Sequence, residues 1–168
     1  DFVDKNNIEE MIDLGCGDGN QAALFKIKKY LGVDVSDFVV ESCKNKFSGD
    51  PQKDFLTYDE FRQSGIASDL VISFDVVYHL VEYGDFIDYM NVLFDSSRKY
   101  VVVYGANLEF LDSKAEHVKG RAFMTWVDRY APSWEMFAFR KNDFPYERKQ
   151  SQLSSSYSDF YFFRKVEK

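Results

Sequence analysis

Cysteine, histidine and positive charge are all scarce in this chain. Cys16 and Cys43 are the only cysteines in 168 residues. That is too few for the disulfide framework of a small secreted domain, so a reducing, cytoplasmic setting is the default expectation. Neither they nor the two histidines, His79 and His117, fall at metal-ligand spacing. Basic residues number 21 against 28 acidic ones, a formal charge of −7. Such a balance disfavours a surface that tracks the phosphates of nucleic acid. No run approaches the roughly 20 apolar residues of a membrane span, and the opening DFVDKNNIEE is not a secretory signal.

What the chain does have is apolar and aromatic mass. Hydrophobic residues make up 45%, with 17 Phe and 11 Tyr, a globular composition rather than a disordered one. At this length a single domain is expected, burying roughly two-thirds of its unfolded surface.

The most informative stretch is Met11-Ile-Asp-Leu-Gly-Cys-Gly-Asp-Gly19. Glu10 to Leu14 reads as a short strand. Gly15, Gly17 and Gly19 then alternate through a turn, and Ala22, Ala23, Leu24, Phe25 and Ile27 suggest a helix. Strand, glycine turn and helix form the first half of a βαβ unit. Glycine lets the chain reverse tightly and a ligand approach the backbone. Free amides at the start of the following helix could hold a polar or anionic ligand. A dinucleotide fingerprint would need its third glycine at position 20, which is Asn20.

The pattern Asp13-x-Gly15-x-Gly17-x-Gly19 resembles the first motif of class I S-adenosylmethionine-dependent methyltransferases. That resemblance implies a cofactor site at Gly15, Cys16 and Gly17, with Asp13 helping to hold the loop and the methionine ammonium. Tyr30 to Val35 reads as the second strand. Gly32-Val33-Asp34-Val35-Ser36 is similar to the same family's second motif, where the acid accepts the ribose hydroxyls. Helix capping is better assigned to Ser36 or Asp37. Val39, Val40, Cys43 and Phe47 recur at helical spacing, predicting a helix over 36–47, which Ser48-Gly49-Asp50-Pro51 breaks. A short third strand is expected at Asp54 to Tyr58. Of the two acids beside it, Asp59 suits the family's adenine-amino position better than Asp54.

Ser68 to Phe74 is a continuous apolar strand of the kind found at the centre of a parallel sheet. Ligands in open α/β sheets bind beyond the carboxyl ends of the strands, so Ser73, Phe74 and Asp75 should face the cofactor cleft. Asp75 to Leu80 is expected to open a helix with Asp75 and His79 on one face. Phe86, Tyr89, Met90, Leu93 and Phe94 mark the next helix, and Lys99 to Tyr104 a fifth strand. Alternating strands and helices require a parallel sheet with right-handed crossovers.

Beyond residue 105 the pattern changes. Residues 106–119 are polar, Phe123 to Tyr130 form a helix that Pro132 stops, and 134–140 and 159–164 alternate as strands. The expected fold is therefore α/β: a three-layer, doubly wound, mostly parallel seven-stranded sheet with a closing antiparallel hairpin. The resemblance covers about residues 8–105, a cofactor half, and leaves 106–168 as the acceptor side. Few residues precede the glycine turn, so an open amino-terminal side is anticipated.

The resemblance implies S-adenosylmethionine as cofactor and a methyl acceptor beside the fourth and fifth strands. His79 or His117 could take a proton from that acceptor. Tyr104, Asn107 and Arg121 would bind it, and a guanidinium at 121 favours a small anionic metabolite. The segment from His117 to Val127 is similar to one in small bacterial methyltransferases often associated with surface-glycan or secondary-metabolite pathways. Two rivals remain open: a binding module that keeps the fold without turnover, and an RNA methyltransferase, disfavoured by the charge and by the lack of an Asn/Asp-Pro-Pro-Tyr-like motif after Phe74. The sequence does not indicate an oligomeric state.

Overall fold

The structure is a computed structural model that describes residues 2–109, 118–146 and 156–166. Seven strands form one sheet: β1 (Glu10–Leu14), β2 (Lys29–Asp34), β3 (Lys53–Thr57), β4 (Ser68–Phe74), β5 (Ser97–Gly105), β6 (Trp134–Arg140) and β7 (Asp159–Lys165). Their order is β3-β2-β1-β4-β5-β7-β6. The first five run parallel. β7 inserts antiparallel between β5 and β6. This is the doubly wound sheet with a closing hairpin that the alternation of elements predicts.

The strands bury both faces because successive side chains point to opposite sides. Ile12, Leu14, Val33, Val71, Val101 and Val103 meet the helices α3 (Tyr58–Ser64), α4 (Tyr83–Asp95) and α5 (Phe123–Tyr130). Met11, Tyr30, Phe55, Leu70, Ile72 and Val102 face the other layer, built from α1 (Phe2–Lys5), a short 3₁₀ turn and α2 (Asp37–Lys46). Phe2 of α1 packs edge-on to Tyr100, with ring centres 5.3 Å apart. Among the described residues, no helix is long and apolar enough to cross a membrane.

Three local expectations are corrected. The helix expected after the glycine turn is only a 3₁₀ turn, Ala22–Leu24. Ala22 and Ile27 are buried but Leu24 is exposed, and Phe25 is already extended, since the chain must reach β2 at Lys29. Asp75 to Leu80 is not an α-helix either: Asp75 takes a left-handed φ of 59°, and only Val77–His79 forms a 3₁₀ turn. Asp75 and His79 thus do not share a helix face. Finally, 58–64, which carried no expected helix, forms α3. Thr57 and Glu60 make a reciprocal capping box and Gly65 closes the helix in the left-handed region.

Gly32 shows how tightly β2 is covered. A Cβ there would lie 2.5 Å from Phe55 Cδ1 and 2.9 Å from Cys16 Sγ. Gly32→Ala is therefore expected to destabilise the chain by about 1–3 kcal/mol through overpacking, measured as a lower urea midpoint with an unchanged slope.

Candidate functional site

A cleft of about 550 Å³ opens at the carboxyl ends of β1, β2 and β4. Gly15, Val33, Asp34 and Val35 form one wall. Phe74, Asp75, Val76, His79 and Leu80 form another, and Tyr58, Asp85, Asp88 and Tyr89 complete the lining.

The glycine turn is held by β2. The amides of Gly15 and Cys16 both donate to the Val33 carbonyl, at 2.7 and 3.0 Å. The amide of Gly17 donates to Asp34 Oδ2 at 3.1 Å, while the Ser36 amide donates to Oδ1 at 3.0 Å. The helix cap is Ser36 itself, as expected. Gly15 has φ 92°, and a Cβ there would stand 2.3 Å from Val76 Cγ2, so only glycine fits. The thiols of Cys16 and Cys43 both point at the Gly17 carbonyl, at 3.8 and 3.4 Å. Burial pushes both thiols up from their ordinary pKa, which makes them packing groups rather than nucleophiles.

Asp13 lies beneath the turn, 3% exposed, and accepts a 2.8 Å hydrogen bond from Tyr30 Oη. Burial raises its carboxyl to about 6, against the lowering effect of the tyrosine bond and with a smaller push from the charge on Asp34. Among the described cleft walls it is not a lining residue, so it lies below them; Ser73, expected at the cleft, is likewise fully buried and absent from those walls.

Asp75 ends β4 in the left-handed region, a strained state for a residue with a Cβ. Its amide donates to the Tyr104 carbonyl at 2.8 Å, and Oδ1 accepts from the Ser158 hydroxyl at 2.9 Å. Burial raises its carboxyl pKa; bonds from Ser158 and Tyr78 and the charge of His79 oppose that rise. His79 is exposed at the rim, its ring 4.5 Å from that of Tyr78.

The remaining expected site residues divide. Tyr104 stands beside the cleft, its ring 4.4 Å from Phe160 and 6.2 Å from Phe74, its hydroxyl accepting from Asn142 Nδ2 at 2.8 Å. Asp59 is exposed in the first turn of α3. Tyr58, not Asp59, reaches the cleft, because the helix begins there and turns the next side chain outward. Asn107 is occupied elsewhere, with Oδ1 accepting from the Met124 amide at the start of α5. Arg121 is 8% exposed. Its Nε and Nη2 donate to the Leu80 carbonyl at 2.9 and 2.6 Å, and Nη2 also to that of Val81. The guanidinium lies over Phe86 and Tyr83. It braces the loop behind the cleft, because the chain's turn at 80–82 leaves those carbonyls in need of donors, and it is not among the residues lining the cleft. His117 lies outside the described residues.

Sequence reasoning missed Tyr58, Val76, Leu80, Asp85, Asp88 and Ser158. Asp88 accepts from Arg62 at 2.7 Å and from the Tyr58 hydroxyl at 3.4 Å. Asp85 and Asp88 on one α4 face were the available signal; nothing in the sequence marks Ser158, which arrives from 83 residues away.

The fold is shared with known proteins. A family model described as a methyltransferase domain covers residues 12–101, more than half of the chain, and the chain belongs to that family. It is an S-adenosylmethionine-dependent methyltransferase with a Rossmann-like fold. Among solved structures, the methyltransferase domain of bacterial CtHen1-C superposes with a TM-score of 0.75 at 20% identity, covering 99% of this chain and 94% of that one. The N-methyltransferase NodS from Bradyrhizobium japonicum WM9, solved with S-adenosyl-L-homocysteine, gives 0.75 at 13% identity over 98% and 82%. Magnesium protoporphyrin IX methyltransferase from Synechocystis PCC 6803, solved with its bound cofactor, gives 0.67 at 17% over 98% and 74%. No curated protein sequence matches the chain significantly.

The buried acid generates a pH prediction. Folded Asp13 keeps its proton to about pH 6, whereas the unfolded carboxyl releases it near 3.8. The folded state binds more protons across that window, so stability falls as pH rises through it and the full penalty applies above. The shift corresponds to about 3 kcal/mol. Asp13→Asn keeps an acceptor for Tyr30. It should unfold at higher urea than the parent chain at about pH 8, the gap closing toward about pH 4.

Proposed function

We propose that the cleft holds S-adenosylmethionine along the glycine turn and Asp34, and that the methyl acceptor is a small molecule bearing an oxygen or nitrogen nucleophile. The observation that carries this reading is the charge of the lining. Asp34, Asp75, Asp85 and Asp88 supply four carboxylates, of which Asp88 is paired with Arg62, and the described lining contains no lysine or arginine. A cofactor carrying a sulfonium and an ammonium is attracted to such walls, whereas the pyrophosphate of a dinucleotide is repelled. The volume suits a small ligand pair and not a polymer.

When bound, S-adenosylmethionine supplies a methyl group activated by the sulfonium. The chain's own residues bind and orient. Gly15, Cys16 and Gly17 leave backbone open to the ligand; Val35 and Phe74 give apolar contact. Asp34 retains lone pairs for ribose hydroxyls beside the two amides it already accepts. Asp75 and Tyr104 border the acceptor side, and His79 at the rim takes the acceptor's proton as the methyl group arrives. Holding both reactants in line and excluding water provides most of the acceleration. The anionic character expected of the acceptor loses its support, since the Arg121 cation is committed to backbone carbonyls.

Calorimetry should show binding of S-adenosylhomocysteine and none of NAD. Asp34→Ala should weaken that binding by about 1–3 kcal/mol, the worth of charge-assisted hydrogen bonds to a ribose. NAD binding alone would overturn the cofactor assignment. Transfer of a labelled methyl group to a panel of small amines and alcohols separates an enzyme from a binding module: cofactor bound without any methylated product favours the module.

A further inference from the structure

The sheet parts between β1 and β4. β1 and β4 pair from Met11↔Leu70 to Asp13↔Ile72, and their pairing ends there. Yet β1 continues beside β2 to Leu14↔Val33, and β4 continues beside β5 to Phe74↔Tyr104. The two strands therefore splay just below the glycine turn, at the position where the strand order reverses. Such a reversal is where open α/β sheets form their ligand crevice. Splaying leaves the Leu14 carbonyl without a partner on β4, and a buried carbonyl needs one.

Tyr89 of α4 reaches into that gap. Its hydroxyl donates to the Leu14 carbonyl at 2.7 Å and lies 2.6 Å from Ser73 Oγ. The single phenolic proton is used on Leu14, so Ser73 is the donor in the second bond. The hydroxyl thus bridges the two splayed strands, one residue before Gly15 on β1 and two residues before the strained Asp75 on β4. Burial keeps the phenol protonated, well above its ordinary pKa. The ring is also part of the cleft wall and lies nearly parallel to that of Tyr58, with centres 6.4 Å apart and planes 13° apart.

We infer that Tyr89 is a positioning residue for the cofactor. Its hydroxyl holds the Leu14 carbonyl, and with it the direction in which Gly15 leaves β1, while the Ser73 bond only orients that hydroxyl. The Gly15 amide is held from the other side by Val33, at 2.7 Å, so the turn is clamped between β2 and the Tyr89 bridge. This rests on the reading that the glycine turn carries S-adenosylmethionine.

Tyr89→Phe removes the bridge and keeps the ring; Ser73→Ala removes one arm and keeps the bond to Leu14. Both lose some stability, so affinity for S-adenosylhomocysteine is measured by calorimetry at a temperature where each variant is fully folded. Tyr89→Phe is expected to bind about tenfold more weakly or worse, as befits a lost hydrogen bond to a buried carbonyl, and to exchange the Gly15 and Cys16 amide protons faster. Ser73→Ala should stay within about threefold of the parent chain, the bond to Leu14 being intact. A folded Tyr89→Phe with unchanged affinity would overturn the inference, leaving the cofactor reading untouched; so would equal losses in both variants. Failure of the parent chain to bind S-adenosylhomocysteine would overturn the cofactor reading first.

Discussion

The hydrogen bond from the Gly17 amide to the Asp34 carboxylate is the constraint on which the site depends. A turn containing Gly15, Gly17 and Gly19, all at positive φ, has little order of its own, because glycine loses more backbone freedom on folding than any other residue. The turn is ordered by what it borrows from β2: two amides on Val33 and one on Asp34. Asp34 then has two duties. It fixes the loop and lines the cleft, so in the proposed reading loop geometry and ribose recognition are coupled through a single carboxylate.

Around that coupling the structure tolerates features that work against stability. Asp13 is a carboxylate sealed under the turn, and Asp75 holds a left-handed backbone at the end of the central strand. Asp13 lies below the cleft and Asp75 in its wall, and both are braced by hydroxyl groups, Tyr30 for the first and Ser158 for the second. Away from the cleft the sheet shows ordinary alternation, with apolar residues in two layers. Strain concentrated at the ligand side of an otherwise regular scaffold is a common arrangement in functional sites.

Much of this was legible in the sequence. The strands with continuous apolar runs, Ser68 to Phe74 above all, could be read directly, as could the glycine turn and Asp34 at the end of β2. The less legible features share a cause: they depend on partners distant in the chain. Arg121 carries the same guanidinium whether it grips a ligand or backbone carbonyls, and only the path of residues 80–82 decides. Asp59 and Tyr58 are adjacent, and the exact start of α3 determines which side chain enters the cleft. The apolar spacing after Gly19 suggested a helix, but the approach to β2 left room for one 3₁₀ turn. Local pattern specified the elements; their meeting points required the fold.

That short turn has a consequence for selectivity. A full helix springing from the glycine turn would place about half a positive charge against the ligand, the device by which many nucleotide sites capture phosphate. Here the peptide dipoles of residues 22–24 are too few to sum to such a field. The turn supplies backbone shape without an anion trap. A sulfonium ligand therefore meets no opposing helix end at this turn.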